Sequence, residues 1–131
     1  MNAPQTYDAG VAHQIGRYSD AIRVPAGYDQ IFVSGTPGID ENGNIPADFA
    51  DEARQAWRNV AAILEKAGAS ISDIVSIRQY LTRKEDIKTY VEVQQEILTH
   101  EPAGMLLVPT AMVWPDIHVE VEAVALVPSG R

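Results

Sequence analysis

The chain has no cysteine among its 131 residues. Disulfides, thiolate nucleophiles and cysteine-ligated zinc or iron–sulfur centres are therefore excluded. Cations are scarce: 10 Lys and Arg stand against 18 Asp and Glu, a formal net charge of −8. They are also scattered, Arg83-Lys84 being their closest pairing. Nucleic-acid binders draw affinity from neutralised phosphates, so neither nucleic acid nor an anionic membrane surface is an expected partner. No uncharged apolar run reaches the roughly 18 residues of a membrane span. The three histidines, His13, His100 and His118, lie far apart without H-x-H or H-x-x-x-H spacing, and no metal is expected. No serine sits in G-x-S-x-G, and Gly35-x-x-Gly38 lacks the Lys-Ser/Thr and the helix of a phosphate loop. The first eight residues have neither the basic start nor the apolar stretch of a secretory signal, which makes the cytoplasm the expected compartment.

Apolar residues make up 46% and charged residues 21%, ordinary values for a folded globular chain. The length fits a single domain over residues 1–131, with 1–15 as an N-terminal segment. Tyr28 to Gly35 reads as a strand stopping at Ser34-Gly35. Asn42-Gly43 carries a type I′ turn signal. From Asp48 to Ala67, Phe49, Ala53, Trp57, Val60 and Leu64 recur at helical spacing, with Asp48 as N-cap and Gly68 just past the end. Ile71 to Thr82 reads as a strand with Val75, Ile77 and Leu81 on one face and Ser76, Arg78 and Tyr80 on the other. A second helix is predicted over Glu85 to His100, its inner face carrying Ile87, Val91 with Tyr90, Gln94, and Leu98 with Ile97. Met105 to Val113 is apolar, and Trp114-Pro115-Asp116 forms a turn. Ile117 to Val127 alternates strictly, with His118, Glu120, Glu122, Val124 and Leu126 on one face.

The pattern describes an α+β sandwich with both helices on one face of a four- to six-stranded sheet. The other face carries Tyr80, Val124 and Leu126 with no third layer to cover it, which points to a homo-oligomer. Three features on it can carry chemistry. Glu120 and Glu122 share a face with apolar residues, so they form either a solvated edge or a partly buried pair able to hold a water or move a proton. Ser34-Gly35 is either a simple strand stop or a place where a ligand reaches the backbone. Arg78 needs a carboxylate, from Glu120, Glu122 or a ligand.

Gly16-Arg17-Tyr18-Ser19-Asp20-Ala21 resembles the G-P-Y-S-x-A opening of the Rid (RidA/YjgF, reactive-intermediate deaminase) family. Phe32-Val33-Ser34-Gly35 resembles that family's strand ending in S-G-Q. Asn59-Val60 to Leu64, Ala67-Gly68 and Ile74-Val75 resemble its N-V-x-x-I-L-x-x-A-G…D-I-V stretch, and Val119 to Ala125 its V-E-I-E-A-I-A. The resemblance implies a chorismate-mutase-like fold with two helices on one face of a mixed sheet. It implies a homotrimer with small-molecule sites between subunits, and hydrolysis of enamines or imines to carbonyl compounds and ammonia without a cofactor. It assigns Glu120 to positioning the attacking water, with Ser34, Gly35 and Tyr18 at the site. The family's substrate-carboxylate Arg follows Pro-Ala, where this chain has Pro102-Ala103-Gly104. Met105, Leu106 and Leu107 then form an apolar pocket wall, and Arg78 is the candidate replacement cation. The resulting expectation is a hydrolase of a labile C–N metabolite other than 2-aminoacrylate. The alternative is a non-catalytic metabolite-binding trimer with a regulatory or chaperone-like role. Ribonuclease activity, known of some relatives, fits poorly with the acidic charge.

Overall fold

The computed structural model describes residues 2–130. Helix α1 (Phe49–Lys66) forms where the 3.6-residue period is clearest. Asp48 is extended and its carboxylate accepts from the Asp51 N–H at 3.2 Å. Asp51 and Glu52 lie at the positive end of the helix dipole and Lys66 at the negative end. Gly68, at φ +79°, takes the left-handed step that closes the helix. The inner face buries Ala53, Ala56, Trp57, Val60 and Leu64.

Six strands are present among the described residues. β1 (Gln5–Tyr7) and β2 (Ala21–Arg23) make a small antiparallel ribbon. β3 (Tyr28–Pro37), β4 (Ile74–Leu81), β5 (Ala103–Leu107) and β6 (Val119–Pro128) form a mixed sheet in the order β3-β6-β4-β5. β6 pairs antiparallel with both β3 and β4, and β5 runs parallel to β4. Helix α2 (Ile87–Ile97) is the crossover that the parallel pair requires. α1 packs on β3 and β6, and α2 lies beside α1, its Tyr90 hydroxyl donating to the Gln79 side-chain oxygen on β4. Val119, Val121, Ala123 and Ala125 of β6 point into this core, together with Ile77 and Leu81 of β4. No helix among the described residues is long and apolar enough to cross a membrane.

Several boundaries differ from expectation for identifiable reasons. Residues Ile71–Asp73 form a single 3-10 turn, the Ser70 N–H donating to Asp73 Oδ2 at 2.9 Å, so β4 starts only at Ile74. A register irregularity between Ile74 and Ser76 shifts the parity there: Ile74 is buried and Val75 half-buried. α2 starts after a 3-10 turn at Lys84–Asp86 and ends at Ile97, three residues short of His100. Tyr90, Gln94 and Leu98 of the expected face are buried, Val93 joins them, and Ile87 is exposed. The Asn42-Gly43 turn joins no hairpin: only Gly43 has positive φ, and Asp40 holds the loop through the N–H groups of Asn42 and Asn44. β6 begins at Val119, so His118 escapes the strand's alternation and turns toward α1.

Asp20 ties the N-terminal segment to β2, accepting from the N–H groups of Ala9 at 2.6 Å and Ala12 at 2.8 Å. The Ala9 hydrogen bond, with that of Ala12, holds its carboxyl below the usual aspartate range. A depressed folded-state pKa stabilises above the unfolded value and is lost as pH falls through the folded one. Acid titration followed by amide exchange should therefore loosen Ala9 and Ala12 only below the ordinary aspartate range. The Asp20→Ala variant should already show that exchange at neutral pH. Protection unchanged in the variant would refute the tether.

Candidate active site

The outward sheet face is where the sequence-predicted residues meet. Between Val33 and Thr36 on β3 two residues, Ser34 and Gly35, oppose the single Glu122 between Ala123 and Val121 on β6. This two-against-one bulge frees backbone from the ladder and bends the strand. A Cβ on Gly35 would lie 2.8 Å from Glu120 Oε2. Glycine is needed here for close approach: the carboxylate lies against the backbone of the bulge. Ser34 and Gly35 are exposed, and the Ser34 carbonyl accepts from Thr36 Oγ1 at 2.7 Å.

Glu120 is half-buried, opposite Pro37 on one side and Tyr80 on the other. Burial pushes its carboxyl above the ordinary glutamate value. Such a group accepts a proton from water more readily than an exposed glutamate does. Its strand is held in place by Glu52 of α1, which is 1% exposed. Glu52 accepts from the His118 N–H at 2.7 Å and from His118 Nδ1 at 3.0 Å. That pair fixes the chain two residues before Glu120. The two residues are 66 positions apart, and no spacing rule in the sequence could have joined them.

Arg78 pairs in register with Glu122, and its Nη1 lies 3.6 Å from Glu122 Oε1. This is a loose, half-exposed ion contact, weak in water. Phe32, Ser34, Arg78, Glu122 and Val124 line a depression of about 230 Å³ on this face. Two larger cavities of about 470 Å³ lie elsewhere and include neither Glu120 nor the bulge. Phe32, 74% exposed, is a member of the face that the sequence reading passed over. The parity of β3 held that signal, but its register against β6 was needed to use it.

The expected apolar wall splits. Met105 and Leu107 pair with Arg78 and Tyr80 and stand on the outward face, both exposed. Leu106 pairs with Gln79 and packs against the core, so it is not part of the wall. A strand alternates faces, and three consecutive residues cannot line one surface.

Tyr18 is also placed away from the open face within one chain. It is buried beneath β5, and its hydroxyl accepts from Gln79 Nε2 at 3.0 Å and Gln94 Nε2 at 3.2 Å. Gln79 Nε2 donates as well to the Met105 carbonyl at 3.1 Å. Tyr90 completes this polar knot, and burial lifts its hydroxyl well above the usual phenol value. A Cβ on Gly104 would meet the Tyr18 ring at 2.8 Å and Ile77 at 2.8 Å. No group of three or more potential metal-ligating His, Cys, Asp or Glu side chains occurs among the described residues.

A bulged strand bearing Ser-Gly, faced by a half-buried glutamate on a central strand, sits in an α+β domain of two helices on one face of a mixed sheet. The model of the Endoribonuclease L-PSP family matches residues 10–127, and the chain belongs to this family, the Rid (RidA/YjgF) family. A RutC family protein of Pyrococcus abyssi is 35% identical over 113 residues, 85% of this chain and 87% of that one. The 2-iminobutanoate/2-iminopropanoate deaminase of Escherichia coli K12 is 32% identical over 102 residues, 75% of this chain and 80% of that one. The crystal structure of RidA from an Antarctic Psychrobacter superposes with a TM-score of 0.72 at 29% identity, covering 97% of this chain and all of that one.

Proposed function

We propose that this chain hydrolyses an enamine or imine to a carbonyl compound and ammonia, with Glu120 as the catalytic residue. The observation that carries the reading is the half-buried Glu120 carboxylate held against the Gly35 backbone, its pKa raised by burial. An enamine first takes a proton at its β carbon to become the iminium. Glu120 removes a proton from water as its oxygen attacks the iminium carbon, then gives that proton to nitrogen. Collapse of the carbinolamine breaks the C–N bond, and the hydroxyl proton leaves by way of Glu120 with the ammonia. Iminium plus water thus becomes carbonyl plus ammonium, and Glu120 returns to its starting state. Ser34 and the Gly35 backbone orient the substrate nitrogen. Arg78, Met105 and Leu107 line the floor, and Tyr18 supports it from below. No cofactor is needed for this chemistry. Further copies of the chain, as a homotrimer, cover the face around Phe32 and close the site into a cleft. The deaminase name of the Escherichia coli relative supports the reaction class.

The test is semicarbazide competition with freshly generated imines: the enzyme should divert imine from the semicarbazone to free carbonyl product. Gly35→Ala, which pushes a methyl into Glu120 Oε2, should lose about tenfold or more in rate while remaining folded, because an ångström-scale displacement of a reacting group is costly. A wild type that never diverts the imine favours the metabolite-binding alternative, and a Gly35→Ala variant of full activity removes the bulge from the mechanism.

A further inference from the structure

The charges on the outward face define what that site accepts. Among the described residues of the four sheet strands that face outward, the carboxylates are Glu120 and Glu122 and the sole cation is Arg78. Arg78 lies 3.6 Å from Glu122, a loose and half-exposed contact that offsets one charge against the other. Among the described residues no cation pairs with Glu120, and Arg78 faces Glu122 instead. Gly104, next along β5, cannot carry a side chain without displacing Tyr18 and Ile77. Tyr18 cannot yield easily, since its hydroxyl is held by two buried amides. Among the described residues the face thus carries two carboxylates against one cation, and a carboxylate beside the reacting carbon would meet a net negative surface at Glu120. A positive nitrogen alone would be attracted. The same face carries Phe32, Met105 and Leu107, all exposed and apolar.

We propose that the site, read as an iminium hydrolase, selects a cationic iminium that carries no carboxylate on the reacting carbon and has an apolar or aromatic side chain. Such an iminium, R–CH=NH₂⁺, arises by two-electron oxidation of a primary amine at its α carbon. An amine-oxidising reaction must therefore supply the substrate, and an aldehyde and ammonium are the products. The preference rests on the hydrolase reading but is separable from it.

Two imines that differ only in the carboxylate settle the point. One is made from 2-phenylethylamine with an amine oxidase, the other from phenylalanine with an amino-acid oxidase, each followed by semicarbazide competition. The expected result is a preference of about tenfold or more in kcat/KM for the carboxylate-free imine, the size that one lost charge-assisted contact supplies. Glu122→Gln, which releases Arg78, should shrink that preference by raising the rate on the phenylalanine imine. Equal or better turnover of the phenylalanine imine by the wild type overturns the preference while leaving the hydrolase reading intact. No turnover of either imine overturns the hydrolase reading and the preference with it. An unaltered preference in Glu122→Gln overturns the part assigned to the Arg78–Glu122 contact.

Discussion

Glu120→Gln should abolish imine hydrolysis, with a loss of about 10² to 10⁴ in kcat, the range that a positioned general base contributes. The substitution keeps the shape and removes the proton acceptor. The wild-type pH profile should show an acid limb that reflects Glu120. Burial favours the protonated form, so the limb lies above the ordinary glutamate range, and activity rises with pH through it. The stability effect has the opposite sense. A carboxyl with a raised folded-state pKa binds more protons folded than unfolded, so it weakens the fold as pH climbs through that window. Glutamine avoids this loss, and the variant should unfold in urea at neutral pH no earlier than the wild type. A variant that is folded and fully active would remove Glu120 from the chemistry. A shifted acid limb that persists in it would assign the titration to another group.

Gly104→Arg should destabilise the fold without creating a substrate anchor. The first atom of the new side chain would lie 2.8 Å from both the Tyr18 ring and Ile77. Ile77 is 1% exposed and Tyr18 is hydrogen-bonded in the knot with Gln79 and Gln94. Overpacking of this kind costs about 1–3 kcal/mol, with a further penalty of about 1–3 kcal/mol where a buried hydrogen bond is broken. Urea unfolding should show the loss, and the 2-imino acid assay should show no gain. Unchanged stability together with new turnover of 2-imino acids would mean that Tyr18 swings aside and the place at 104 is open to a cation.

Much of this arrangement is legible in the sequence because local rules govern it. α1 carries a cap, a dipole-matched charge pattern and a 3.6-residue period together, and it forms within a residue or so of the prediction. β6 alternates cleanly, so Glu120 and Glu122 fall on the outward face as the parity requires. What escapes is set by pairing across long separations. Leu106 turns inward because of its register with Gln79, which is visible only once β5 lies beside β4. Tyr18 reads as a site residue from its motif, but its burial depends on Gln79 and Gln94, 61 and 76 positions away. The Glu52–His118 anchor is likewise invisible to any window of sequence. The sequence left the partner of Arg78 open among Glu120, Glu122 and a ligand, and the strand register sets Glu122 opposite it.

The strand order also has a consequence for how the chain reaches its fold. β3 and β4 never touch as strands; each is joined to the sheet through β6, the latest of the six in chain order. During synthesis the helices and three sheet strands therefore emerge while the middle of the sheet is missing. Their unpaired edges wait for β6, which starts only at Val119 while β4 ends at Leu81, to arrive and insert between them. Such non-local pairing slows folding and leaves strand edges exposed in the nascent chain. The same insertion brings Glu120 to Gly35, so the pair on which the proposed chemistry depends comes together in the step that completes the sheet.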